Sequence, residues 1–265
     1  MAITSIIIAA AAVLAVSIAF SMVGQGGGSL YVPILLALGM SVHDAATTSL
    51  FVIVATSISA VIIYRRSRII DWKLALVIEP LTMALAFSGG LLANSIDATP
   101  LKIVFAGVLI IASILMIKPA TEKKTGNSYG WGHWRRRMGD NSYVVRLPGL
   151  MPVTAAAGFV AGMIGISGGI FKMPAMVLIG RVPMRIAIGT SSLMVAATAL
   201  AGLSGHLVGG SFDIVAALPL AAAAFVGGRL GSSLSIRVNI PALRVLFAII
   251  LLFTSVWMIV DIFIR

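Results

Sequence analysis

Two short glycine clusters are the residues of this chain whose types and spacing could do chemistry. The first is Gly24, Gln25, Gly26, Gly27, Gly28 and Ser29, followed by Pro33; the second is Gly165, Ser167, Gly168, Gly169 and Ile170, followed by Lys172 and Pro174. Inside a helix a glycine costs about 1 kcal/mol and a proline about 3 kcal/mol relative to alanine. Backbone interrupted in this way survives in a membrane only where protein or a watery cavity satisfies the freed N–H and C=O groups. One such cluster fits close helix packing through small residues, but two in equivalent places point to a binding site at the middle of a bilayer. A helix starting after the break presents unpaired N–H groups and a positive dipole end, which suits an anion.

Polar side chains follow each cluster. Thr48 and Ser49, and then Thr190, Ser191 and Ser192, offer hydroxyls that could replace an anion's water shell or bond helix to helix. Lys172 stands in the first turn of a half-helix, where the dipole disfavours a cation, so either it serves a site or it snorkels. Arg229, between Gly228 and Gly231, has the same two readings. Glu79 and His206 could exchange protons if movement across the membrane is proton-coupled; alternatively Glu79 pairs with Lys73 near the interface and His206 caps its helix.

Other chemistries are poorly supplied. The chain has no Cys, and His43, His133 and His206 are scattered, so no disulfide, metal site or cofactor site is expected. Gly165, Ile166, Ser167 and Gly168 spell GxSG, and with His206 they resemble the Ser/His dyad of an intramembrane rhomboid protease. Ser167, however, falls in a glycine repeat whose first copy has Gly26, so catalysis is not expected.

The elements that must position these residues belong to a membrane. Of 265 residues 60% are hydrophobic and 10% charged, with a mean hydropathy of +1.10, outside the usual range for a soluble domain. Uncharged runs cover residues 1 to 42, 45 to 64, 80 to 96, 103 to 117, 147 to 171, 186 to 212 and 245 to 260. A bilayer core needs about 20 mostly apolar residues per helix. The net charge of +11 lies mostly in short loops between these runs, where orientation in the membrane explains it better than nucleic acid, which is not expected as a partner. Residues 1 to 23 lack a basic leader and run too long for a signal peptide, and read as a retained helix.

The chain is a duplicated unit. Gly24, Gly27, Gly28, Pro33 and Gly39 recur 141 residues later as Gly165, Gly168, Gly169, Pro174 and Gly180. After one inserted residue Ala45, Thr48 and Ser49 recur as Ala187, Thr190 and Ser191, and Asp71 as Asp213; Leu101, Lys102, Phe105 and Ala106 recur as Leu243, Arg244, Phe247 and Ala248. The halves are residues 1–117 and 148–265, joined by a hydrophilic cytoplasmic linker at 118–147, whose Trp131 and Trp134 read as interfacial anchors.

The first half reads as a helix at 3 to 23, a break at 24 to 28, a half-helix at 29 to 38, and spanning helices near 44 to 64, 74 to 94 and 99 to 117. The second repeats this at 148 to 164, 165 to 169, 170 to 179, 186 to 206, 214 to 235 and 241 to 262. Ten residues rise about 15 Å against a core of roughly 30 Å, so each half-helix either completes a broken crossing or returns as a hairpin. With a returning hairpin, loops 65 to 73, 118 to 146, 181 to 185 and 237 to 244 share one side and hold 15 of the 19 Lys and Arg. The positive-inside rule favours that arrangement, with both termini outside. The expected fold is an all-α polytopic membrane protein of two inverted-topology repeats, each a re-entrant or broken-helix hairpin plus three transmembrane helices.

The pattern GxGGG, then Pro, then Ala and Thr-Ser, here Gly24 to Gly28, Pro33, Ala45 and Thr48-Ser49, echoed through Thr190-Ser191, resembles the TauE/SafE family of sulfite and organosulfonate exporters. The resemblance covers nearly the whole chain; Ser167 departs from it, standing where the pattern has its middle Gly. It implies a multi-pass carrier of the bacterial inner membrane for sulfite, a sulfonate such as sulfoacetate, or a related small anion. The expected partners are that anion, the lipid bilayer and, as a homodimer, a second copy.

Overall fold

The computed structural model describes residues 3–93, 95, 99–117, 132–138, 141–166, 168–209 and 212–264. The first half holds α1 (Ile3–Met22), α2 (Gly28–Ala37), α3 (Val42–Arg66), α4 (Trp72–Leu91) and α5 (Thr99–Ile117). Then come a β-hairpin of β1 (His133–Met138) and β2 (Asn141–Arg146), and α6 (Leu147–Ile164). The chain continues with α7 (Gly169–Pro174), which runs into a π-helical turn (Ala175–Ile179), and with α8 (Met184–Gly209), α9 (Ile214–Arg237) and α10 (Ile240–Ile264). Among the described residues six helices are long and apolar enough to span a bilayer: His43–Arg66, Trp72–Leu91, Leu147–Ile164, Met184–Val208, Ile214–Arg237 and Ile240–Trp257.

The duplicated aspartates are helix caps. Asp71 Oδ1 accepts from Leu74 N at 3.0 Å at the start of α4, and Asp213 Oδ1 accepts from Val215 and Ala216 N at the start of α9. A short carboxylate there satisfies N–H groups that have no intrahelical partner.

Each half-helix belongs to a hairpin. α1 runs alongside α3 in the same direction: Ser17 and Thr56 share the Tyr31 hydroxyl, and farther along both helices Tyr64 Oη donates to Ser21 O at 2.6 Å. Since α2 ends in the turn that opens α3, it returns toward the side where α1 begins.

α4 packs between α6 and α8 of the second half, and α9 between α1 and α3 of the first. Glycines permit the closeness: Gly158 and Gly162 abut the α4 backbone at Thr82 and Ala86, and Gly228 abuts Thr56 O. α5 and α10 run antiparallel, joined by a reciprocal pair of bonds. Ser113 Oγ donates to Ala248 O at 2.8 Å and its counterpart Ser255 Oγ to Ala106 O at 2.9 Å.

The β-hairpin departs from the all-α expectation and occupies the end of the segment read as linker. Its residues pair antiparallel from His133↔Arg146 to Met138↔Asn141, and Tyr143 and Val145 point into the core. Trp131 and the rest of 118–131 lie outside the described residues. Trp134 carries the Arg136 guanidinium 4.5 Å above its ring.

Candidate functional site

The two breaks form because the helices preceding them end in left-handed glycines. Gly24 has φ +76° and Gly165 φ +75°, a region side chains rarely adopt, and a Cβ on either would strike the facing helix, at Ile188 O for Gly24 and at Ala46 for Gly165. Ile188 and Ala46 are themselves equivalent positions in α8 and α3. The breaks meet in the interior: a Cβ on Gly169 would fall 2.9 Å from Gln25 Cα and 3.1 Å from Gly24 O. Midway along α3 and α8, Ser57 and Val195 close over Gly26, where a Cβ would come within 2.6 Å of Ser57 Oγ.

Around this meeting point hydroxyls are unequally employed. Ser49 Oγ donates to Gly165 O at 2.8 Å, whereas its counterpart Ser191 is fully buried and its hydroxyl has no hydrogen-bond partner among the described residues. The Ser57 hydroxyl is likewise buried and, among the described residues, unpartnered. A buried hydroxyl left unsatisfied costs stability. Gln25 is fully buried, with its backbone against Gly169 of the second break. Thr48 is buried; Thr190 Oγ1 accepts from Asp71 N at 2.9 Å, and Ser192 Oγ bonds back to Ile188 O within its own helix.

Lys172 is fully buried. Its ammonium donates to Glu79 Oε1 and Oε2 at 3.0 and 2.9 Å, to Met194 O at 3.3 Å and to Thr198 Oγ1, and Thr198 in turn donates to Glu79. Glu79 therefore does not pair with Lys73, the simpler expectation. It reaches Lys172 because α4 is inserted into the second half. The equivalent place in the first half is neutral: Tyr31 Oη lies 2.6 Å from Ser17 Oγ and 3.0 Å from Thr56 Oγ1.

Other candidates lie apart. His206 Nε2 is 2.8 Å from Gly162 O, with Nδ1 3.5 Å from Thr47 Oγ1. Its counterpart Tyr64 bonds the equivalent carbonyl, Ser21 O, so His206 ties α8 to the end of α6 rather than capping its own helix. Arg229 is exposed on α9. Ile170 is buried in α7 beside the break. Ser167, the nucleophile of the protease reading, and the Ser29 side chain lie outside the described residues. Among the described residues no group of three or more His, Cys, Asp or Glu gathers to hold a metal.

Comparison with known proteins decides the family. The profile described as Sulfite exporter TauE/SafE matches residues 8–258. The chain belongs to the TauE/SafE family. Its relatives in that family include the "Probable membrane transporter protein YunE" of Bacillus subtilis (strain 168), 24% identical over 88% of this chain and 89% of that one. The protein of the same description, MJ0441, from Methanocaldococcus jannaschii is 27% identical over 89% and 88%, and YfcA of Escherichia coli (strain K12) 26% over 86% and 80%. No solved structure gives a match. A TauE/SafE chain is a multi-pass membrane transporter, and the family and the relatives it matches are described as exporters and membrane transporters, not proteases.

Two features escaped sequence reasoning. Thr198 and Ser57 carried no motif, although Thr198 repeats Thr56 at the offset of the duplication. Asp71 is more than a cap: Arg136 Nε and Nη2 bind its carboxylate at 2.9 and 2.5 Å, and Tyr143 Oη donates to it at 2.6 Å. Burial works to raise the Asp71 pKa, but the Arg136 and Tyr143 hydrogen bonds outweigh it and hold the carboxyl below its usual 3.8. Burial first, and then Asp71, push the Tyr143 phenol up. Asp213, the counterpart, is exposed and, among the described residues, caps its helix without an arginine or tyrosine bound to it.

Proposed function

We propose that the protein carries a small sulfur-containing anion, sulfite or a C2 sulfonate of the sulfoacetate kind, across a bacterial inner membrane by alternating access, working as an exporter. The substrate site lies at the midplane, between two halves of inverted topology. The observation that carries this reading is the contact of the two glycine breaks, Gly169 against Gln25 and Gly24, with the buried Gln25 and Lys172 and the hydroxyls of Ser57 and Ser191, unpartnered among the described residues. Irregular backbone at membrane depth is a device for binding rather than for spanning.

Inverted topology is supported by the antiparallel contact of the equivalent helices α5 and α10 with their reciprocal serine bonds. Two equivalent helices meeting antiparallel are related by a dyad across their axes, and helices that span a bilayer place such a dyad in the membrane plane. The proposed assembly is a homodimer. The sulfur anion itself is carried over from the family.

Binding of sulfite, thiosulfate, sulfoacetate, taurine and acetate to the purified protein tests the reading. Binding of sulfite or sulfoacetate well ahead of acetate is the expected result. A protein that binds acetate as well or better is a carrier of other organic anions, and one that binds none of the five is not an anion carrier of this class.

A further inference from the structure

The anion reading leaves the Glu79 carboxylate without a role. Lys172 is the formal positive charge at the second break, yet it arrives already engaged: an ammonium has three N–H bonds, and its neighbours Glu79, Thr198 and Met194 O offer acceptors for all of them. An anion can reach this charge only by displacing a carboxylate. The pair is also the ionic contact between α4, which enters from the first half, and the re-entrant arm of the second.

Among the described residues Lys172 is the one charge facing Glu79. α6 carries no charged residue, and α8 contributes Arg185 and His206, which are bound elsewhere: Arg185 to the carbonyls of Ser235, Ile236 and Val238, and His206 to Gly162 O. On α4 itself Lys73 is exposed in the first turn. A carboxylate that loses Lys172 therefore has no replacement, and burial of an unpaired charge is too costly to persist. It must take up a proton.

We propose that Glu79 carries the coupled proton of transport. The anion takes Lys172 from Glu79, Glu79 takes a proton from the water on the open side, and the two travel together; release of the anion lets Lys172 recapture Glu79, which gives its proton to the other side. Charge balances throughout. Empty, the site holds one cation and one carboxylate; loaded with a monoanion, it holds the cation, the anion and a neutral acid. The carrier is thus neutral in both states, so neither crosses the low-dielectric core with an uncompensated charge. Of the pair Glu79 is the less enclosed, with 8% of its side chain exposed against none for Lys172. Glu79 here is a positioning and proton-holding group, and its effect on the anion passes through Lys172.

This rests on the anion-carrier reading, and the test separates the two. Proteoliposomes loaded with a pH dye receive isethionate, a C2 sulfonate that does not titrate near neutral pH, or sulfoacetate, ionised there as well; anion and proton fluxes are recorded together. Wild type moves one proton with each isethionate, and Glu79→Gln moves the anion with its proton flux lost, while Glu79→Asp keeps the coupling. Wild-type anion flux without protons, or proton flux retained in Glu79→Gln, overturns the inference and leaves the anion carrier standing; the wild-type arm decides even if the variants fail to fold. No flux of isethionate, sulfoacetate or sulfite overturns the carrier reading and this inference with it.

Discussion

Lys172 occupies in the second half the place that Tyr31 occupies in the first. Both follow a glycine break, and both reach the same threonine of the adjoining long helix, Thr198 and Thr56, but one carries a charge and the other a phenol. The duplication supplied the scaffold twice, and the two copies then diverged in polarity. Ser17, which bonds Tyr31, has Gly158 as its counterpart, and the missing side chain lets α4 approach α6 and bring Glu79 within reach.

The charged copy makes a prediction for both stability and binding. Lys172→Met strands Glu79, and breaking a buried pair costs about 3–5 kcal/mol; adding Glu79→Gln is expected to restore most of it in thermal melts of the detergent-solubilised protein. Anion affinity should fall about tenfold to a hundredfold in Lys172→Met, since a hydrogen bond to a charged group contributes about 1.5–3 kcal/mol. Lys172→Arg keeps part of that affinity. Wild-type affinity in Lys172→Met would remove the lysine from the site.

The glycines of the breaks should not be equally sensitive. Gly24→Ala places a Cβ against Ile188 O at a φ of +76° and is expected to abolish transport. Gly168 is right-handed, with φ −59°, and a Cβ there meets nothing closer than 3.5 Å, so Gly168→Ala should retain transport. Uptake assays on equal amounts of membrane-inserted protein compare the two. Equal loss in both would mean that the second break needs more room than its packing shows.

The duplicated motif made much of the architecture legible. Breaks at 24–28 and 165–169 and the helix after each follow from spacing alone, because glycine and proline act locally; the recurrence of Asp71 as Asp213 was visible, and its capping role came with the structure. The Glu79–Lys172 pair did not, because it depends on α4 crossing into the other half, which no local pattern records. The hairpin at 133–146 was hidden by its basic, glycine-flanked composition; the alternation of Tyr143 and Val145 was the available signal.

The hairpin gives a prediction of its own. Asp71→Asn or Arg136→Ala should release β1 and β2 from the start of α4 and make the 133–146 segment readily cleaved by protease in inside-out vesicles. Because Asp71 is held below 3.8, its contribution is present above that value and is lost as pH falls beneath it toward the lowered one. Acid should therefore loosen the wild-type hairpin and leave Asp71→Asn unchanged.

Topology is open to a clean test, since the natural chain has no Cys. Ser41 and Ser142 are both exposed. In single-cysteine variants a membrane-impermeant maleimide applied to cells permeabilised only at the outer membrane should label Ser41→Cys, on the periplasmic side, and spare Ser142→Cys. The reverse, or labelling of both, would contradict the inverted arrangement.

Transport through the meeting point of the two breaks is tested most directly by the flux of radiolabelled sulfite and sulfoacetate into proteoliposomes holding the wild type or Gly169→Ala. A Cβ on Gly169 intrudes on Val195 and on Gln25 Cα. Saturable wild-type uptake that Gly169→Ala loses, while that variant keeps the gel-filtration profile of the wild type, is the predicted result. Wild-type uptake no faster than that of empty liposomes for both anions, or undiminished uptake by Gly169→Ala, would contradict it.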